Sequence, residues 1–199
     1  MTLATLAALV AFGITTSITP GPNNMMLFAS GVNYGFRRTV PHMLGISSGF
    51  FVLLLAVGAG LGALLTALPM VYLALKVAGG LYLLWIAWKI ATTKTIGDGR
   101  AGAGGRPMTF LEAAAFQWVN PKAWVMAVSA MAAYSDPARP VFSVVVIASI
   151  FAIVNLPSVS VWASFGSTLR GWLSVPPRLQ IFNISMAVLL VLSLWPMLR

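Results

Sequence analysis

Three short motifs in this 199-residue chain set proline beside side-chain amides within apolar surroundings. They are Thr19-Pro20-Gly21-Pro22-Asn23-Asn24, Asn120-Pro121-Lys122 and Asn155-Leu156-Pro157. Each proline removes a backbone donor and clashes with the preceding turn, and Gly21 relaxes the chain between two of them. A helix through the first motif must break, which frees carbonyl and N–H groups. Asn23 and Asn24 add donors and acceptors beside the break. Such groups bind and orient a polar solute; they do not shuttle protons or attack carbonyls. Lys122 contributes a cation, and no acidic residue lies in the middle of any apolar run. Its counter-charge is then either a substrate carboxylate or, as a plain cap, the carbonyls that a break sets free. Asn155 has the same two uses, solute binding or a bond across helices. Glu112, the one carboxylate inside an apolar run, is the first candidate for a proton carrier. The plainer role for it is a charge at a helix start. Lys122, an ammonium with no anion in any span core, is the other candidate for coupling protonation to substrate binding.

Other chemistries find little material. Cysteine is absent, and one His with three acidic residues leaves no basis for a metal site or a metal cofactor. An intramembrane hydrolase needs a Ser–Lys, Asp–Asp or His-based constellation. Ser129 lies seven residues after Lys122, about two helical turns away and out of hydrogen-bond reach. A cation carrier would want carboxylates or His at mid-span, where none stands. No catalytic residue is assigned.

The frame that positions these motifs follows from composition. Hydrophobic residues make up 59% of the chain and charged ones 8%, against about 25% charged in a soluble domain. A water-facing surface cannot be made from so few charges, whereas a lipid-facing one needs almost none. Apolar runs fall at about 4–33, 40–66, 70–92, 109–133, 141–166 and 179–197. Each is of the length a lipid-spanning helix uses. They are separated by Asn33-Tyr34-Gly35 with Arg37 and Arg38, by Pro69, by the Gly-rich segment 93–108, by Ser135-Asp136-Pro137, and by Pro176-Pro177-Arg178. The expected fold is an all-α polytopic membrane protein of about six transmembrane helices. The first run has no basic residue ahead of it and is expected to be an uncleaved span rather than a signal peptide. At membrane depth, freed backbone groups are tolerated only where they line a wet cavity or are buried in protein.

The net charge of +9 is spread over short loops, with no single basic face, so nucleic acid is not an expected partner. Loops one, three and five hold Arg37, Arg38, Lys89, Lys94, Arg100, Arg106, Arg170 and Arg178, which is eight; the other side holds Arg139 and Arg199, which is two. The bias places the odd loops in the cytoplasm and both termini outside. The loop 93–108 divides the single membrane domain, 1–199, into repeats 1–92 and 109–199. An odd number of spans per repeat forces inverted copies. Setting Pro22 against Pro121 aligns one broken motif with the other, so helices one and four are the expected broken pair. Corresponding breaks in two inverted halves are the sequence pointer to a transporter's binding site. The glycines Gly45, Gly49, Gly58, Gly60 and Gly62 are read as points where helices approach closely.

Pro20-Gly21-Pro22-Asn23, Gly35-Phe36-Arg37 followed by Gly45 and Gly49, Lys76…Gly79…Tyr82-Leu83, and Asn120-Pro121-Lys122-Ala123 carry a resemblance. Together they resemble the LysE/RhtB family of bacterial amino-acid exporters, over the first half of the chain and the start of the second. Thr19 to Asn24, Gly35 to Arg37 and Leu84 to Thr92 look most like the exporters of cysteine and O-acetylserine. The resemblance implies export of small amino acids or derivatives through the bacterial inner membrane, driven by the proton gradient. Homoserine- or threonine-like substrates, and a homo-oligomeric state, are compatible with it. Export of another solute or ion is the alternative.

The charge bias is checked by topology reporters. One fused after Arg199 is expected outside the membrane and one inserted at Gly102 inside. A cytoplasmic C-terminus would overturn both the orientation and the count of six.

Overall fold

A computed structural model describes residues 1–96 and 106–195. Among these residues the chain is helical, with no strand. The first apolar run forms α1 (Leu3–Ile18) and α2 (Pro22–Tyr34), bent by 57° at the break between them. Thr2 starts α1 with a side chain that accepts from the Thr5 N–H. Pro22 opens α2 at a position where a missing N–H costs nothing. The chain leaves α2 through Gly35, whose φ of 81° lies in the left-handed region that favours glycine.

The second run is α3 (Phe36–Ala56), which continues through a π-helical turn at Val57–Leu61 into α4 (Gly62–Ala67). Next come α5 (Pro69–Ala91), α6 (Phe110–Phe116) and α7 (Pro121–Tyr134). The long α8 (Pro140–Leu169), a 3₁₀ turn at Trp172–Ser174 and α9 (Pro176–Leu192) complete the described chain. Each predicted run thus becomes one helix or a broken pair. Phe36–Leu61, Leu73–Ala91 and Pro140–Leu169 are long and apolar enough to cross a membrane, and α1 with α2 makes a fourth span if the bent pair is one crossing. The short α6 and the 17-residue α9 do not meet that length alone. Outward faces carry exposed Leu81, Trp88, Ile153 and Ile181, the surface a polytopic membrane protein presents to lipid.

The packing explains the order of the glycines. Gly31 of α2 lies against the Ala163 carbonyl of α8, and Gly166 of α8 lies against the Phe28 carbonyl of α2. Gly45 and Gly49 of α3 meet the backbone of α6 at Phe110 and Ala114. No side chain fits at these crossings, so backbones touch directly. Gly58 packs on Val144 as expected of a close approach, but Gly60 does not. Its φ of 103° turns the chain at the π-helical segment, with open space around it. Around the crossings, Leu9, Phe50, Leu53, Ile147 and Phe151 fill one apolar core, and Phe28, Leu83, Leu179 and Leu190 another.

The helices before and after the segment 93–108 pack on one another: α1 and α2 pack on α8, α6 and α7 on α3, α3 on α8, and α5 on α9. The connections rich in Lys and Arg gather at one end. Arg170 stands beside Gly35, and the Asn183 amide of α9 donates through Nδ2 to Thr93 O at 2.9 Å and accepts at Oδ1 from Asn33 Nδ2 at 3.1 Å. Arg100, Gly102 and Arg199, used in the charge reading, lie outside the described residues.

The reciprocal α2–α8 crossing gives a direct check. Gly166→Val is expected to push α8 off α2 and to destabilise the protein by about 1–3 kcal/mol, the usual cost of overpacking. Gly80→Ala, at a position with nothing within 4 Å, should leave the thermal unfolding midpoint in detergent unchanged or slightly raised. Equal midpoints for Gly166→Val and wild type would refute the backbone contact.

Candidate functional site

A helix end leaves its last four carbonyls without intrahelical donors. The break at Thr19–Gly21 places that deficit deep in the chain's apolar surroundings, and the structure meets it one carbonyl at a time. Thr15 O accepts from the Thr19 N–H at 3.3 Å and Thr16 O from the Thr19 hydroxyl at 2.9 Å. Asn24 Nδ2 donates to Ser17 O and to Thr19 O, both at 2.8 Å. Trp162 Nε1 of α8 donates to Ile18 O at 3.0 Å. Lys122 Nζ of α7 donates to Thr19 O at 2.7 Å, to Thr19 Oγ1 at 2.9 Å and to Pro20 O at 3.4 Å. Of the two uses weighed for Lys122, the structure shows the ammonium on the freed carbonyls.

The second break closes differently. After α6 the chain makes tight turns: Trp118, Val119 and Asn120 N–H groups donate to Ala115, Phe116 and Gln117 carbonyls. Trp124 Nε1 reaches back to Trp118 O at 2.8 Å. Asn120 then caps α7, its Oδ1 accepting from the Lys122 N–H at 3.1 Å, and Pro121 occupies the first helical position.

The two breaks touch. Asn23 Nδ2 donates to Gln117 Oε1 at 2.8 Å, and Gln117 Nε2 donates back to Asn23 Oδ1 at 3.2 Å. Gly21 lies beside the stem of Lys122. Asn155 of α8 accepts from the Ser47 hydroxyl at 3.0 Å and donates to Ser17 Oγ at 3.3 Å, so its amide bonds across helices to α3 and α1. Gly21, Asn23, Asn24, Asn120, Lys122 and Asn155 all line one small cavity of ≈ 20 Å³, with Gln117 among them. That space holds about one water. Pro20 and Pro22 shape the break that the cavity borders.

A second cavity, ≈ 500 Å³, opens at the basic end. One face of α2, through Met26, Ser30 and Asn33, lines it below the break, and Tyr82, Trp85 and Lys89 of α5 stand opposite. Glu112 lies at its rim, with both carboxylate oxygens on Arg106 at 2.6 Å and Oε2 also accepting from the Thr109 N–H at 2.8 Å. Thr109 and Glu112 make a reciprocal capping box at the start of α6. Three donors stabilise the ionised form, so this carboxyl stands as a fixed anion. His42 of α3 lines the same cavity.

Sequence reasoning brought out the residues at the two breaks and missed their partners. Gln117, one turn before Asn120, and Trp162 and Ser47 on distant helices carried no local signal. Asn33 was read only as part of a turn, and His42, which follows Pro41, was passed over as a lone histidine with no amide beside it. Among the described residues no group of three metal-binding side chains occurs.

Comparison with known proteins agrees with this architecture. The family model for the LysE type translocator matches residues 14–193. The cysteine/O-acetylserine efflux proteins of Escherichia coli (strain K12), Shigella sonnei (strain Ss046) and Shigella flexneri are each 33% identical over 193 residues. The alignments cover 96% of this chain and 96% of each relative. No solved structure matches.

The capping geometry has a measurable consequence. Lys122→Met removes three bonds to the end of α1, and Lys122→Arg keeps a cation with several donors. The Met variant should insert yet lose about 1.5–3 kcal/mol of stability, the usual worth of hydrogen bonds from a charged donor, while Thr19 O keeps its bond from Asn24. The Arg variant should lose less, as read from unfolding in detergent. A Met variant as stable as wild type would show that the carbonyls find other donors.

Proposed function

Because the chain belongs to the LysE-type translocator family, we propose that it is a secondary transporter that exports small amino acids or their derivatives from the bacterial cytoplasm. Cysteine- and O-acetylserine-like substrates are the first choice, as the relatives' names suggest, with homoserine- and threonine-like ones next. It works in the inner membrane as two inverted halves, repeats 1–92 and 109–199 of one membrane domain, alone or as a homo-oligomer. The basic loops face the cytoplasm, and the proton gradient drives efflux.

The observation that carries this reading is the meeting of two broken helices at Asn23 and Gln117. A zwitterion presents one carboxylate and one ammonium close together. The N-termini of α2 and α7 offer the positive ends of two helix dipoles to a carboxylate. The carbonyl end of α1 already holds one ammonium, that of Lys122. A substrate ammonium matches that carbonyl cluster in charge and donor count. On binding it takes over the carbonyls of Thr19 and Pro20, and the released Lys122 pairs with the substrate carboxylate. Exchange of one ammonium for another costs little, since no carbonyl loses its donor. The wide cavity at the basic end supports access from the cytoplasm, while the cavity at the breaks is narrow, with room for about one water.

Efflux from cells preloaded with an amino-acid panel tests the proposal. Cells with the wild type should lose cysteine, O-acetylserine or threonine severalfold faster than cells without it. Pro20→Ala with Pro22→Ala restores a continuous helix and should insert normally but abolish this loss. Unimpaired efflux in the double variant would reduce the motif to a kink. A protonophore should stop export against a gradient; if it does not, the proton is not the coupling ion.

A further inference from the structure

His42 is the only histidine in the chain. It is 1% exposed, and neither ring nitrogen has a hydrogen-bond partner among the described residues. Leaving a buried polar group unpaired is costly, and an imidazole has two such positions. The ring nevertheless lines the ≈ 500 Å³ cavity at the basic end. Asn33 Oδ1, on the same cavity, is also unpaired. The cavity is within the range of small-molecule sites, largely apolar with a few polar groups aimed inward.

The placement of the ring is fixed from behind. Thr39, one turn before His42, bonds Ser30 of α2 at 2.8 Å and Gly35 O at 2.9 Å, which locks α3 against α2. Gly45, one turn after it, sits on the backbone of α6. The imidazole is therefore held on a rigid wall with its polar edge unspent. Unpaired polar groups on a preformed wall are what a site keeps for a ligand. The charged groups that line the cavity are the Arg106–Glu112 pair, Lys89 and Lys94. With Glu112 committed to Arg106, the uncommitted charge is positive, which favours the carboxylate end of an incoming solute.

We propose that the cavity is a loading site for a small zwitterionic amino acid on its way to the breaks, and that a ring N–H of His42 donates to the substrate carboxylate there. Asn33 Oδ1, on the same cavity, accepts from the ammonium of an amino acid at the start of the same path. The α2 face through Asn33, Ser30 and Met26 then leads inward to Asn23, two to three turns along one helix. This inference rests on the export reading above and adds to it a substrate contact away from the broken helices.

A single histidine makes the test specific. Purified protein without affinity histidines is reconstituted in liposomes and treated with diethyl pyrocarbonate, and modification of His42 is followed at the imidazole band. The ring should react in the absence of solute. Saturating O-acetyl-L-serine or L-threonine, whichever the same liposomes export, should slow the reaction about tenfold. His42→Leu should weaken binding of that amino acid about tenfold, the loss of one hydrogen bond to a charged group. His42→Gln, which keeps a donor, should stay within about threefold of wild type. Efflux with an unprotected ring, a ring that never reacts, or a Leu variant that binds as tightly as wild type would each overturn the inference and leave the export reading standing. Wild-type liposomes that export no amino acid would overturn both.

Discussion

Backbone carbonyls that find no donor in a lipid-facing protein are its dearest unpaired groups, each costing several kcal/mol. The end of α1 concentrates that demand in one place, and the fold is arranged to meet it. Donors arrive from three other helices: Asn24 from α2, Lys122 from α7 and Trp162 from α8. Each fixes a neighbour at a definite height relative to the break. The long α8 can reach α1 there only because it also lies backbone to backbone against α2, where Gly31 and Gly166 permit the approach. Packing and polar satisfaction thus serve the same contact.

The two breaks answer the same demand by unlike means. The second uses its own turns and a tryptophan six residues on, so α6 and α7 are capped without help from the first half. The first borrows from its surroundings. A self-capped break behaves as a rigid corner, whereas a break capped by others can change partners without unwinding. That difference suits a site in which the self-capped break is the fixed frame and the carbonyls of the other exchange donors. The two cavities differ likewise, one narrow beside the capped break and the other wide beside a wall of unpaired polar edges.

How much of this was legible in the sequence follows from the range of each interaction. Helix ends and breaks are local events: Pro22, Pro69, Pro121, Pro140 and Pro176 each open a helix at the point where proline is tolerated. The residues at the breaks could be named because amides beside prolines are rare in apolar runs. Gly60 was misread as a packing glycine, since a positive φ leaves no mark on composition. Gln117, Trp162 and His42 were out of reach for a different reason. Their roles are set by which helix faces which, and that is decided by the crossings rather than by any neighbour in sequence.

The contact that joins the two breaks is a pair of neutral amides, Asn23 with Gln117, each donating to the other. An amide gains and loses no proton between about pH 5 and 8, the range in which only histidine among unperturbed side chains changes charge. This clasp is therefore equally tight in acidic and in neutral surroundings. A pH difference across the membrane does not act on the clasp itself and must work through other groups. Only a molecule that offers a donor and an acceptor at the same spacing can compete for it, so the clasp yields to shape and hydrogen-bond complementarity and is blind to acidity.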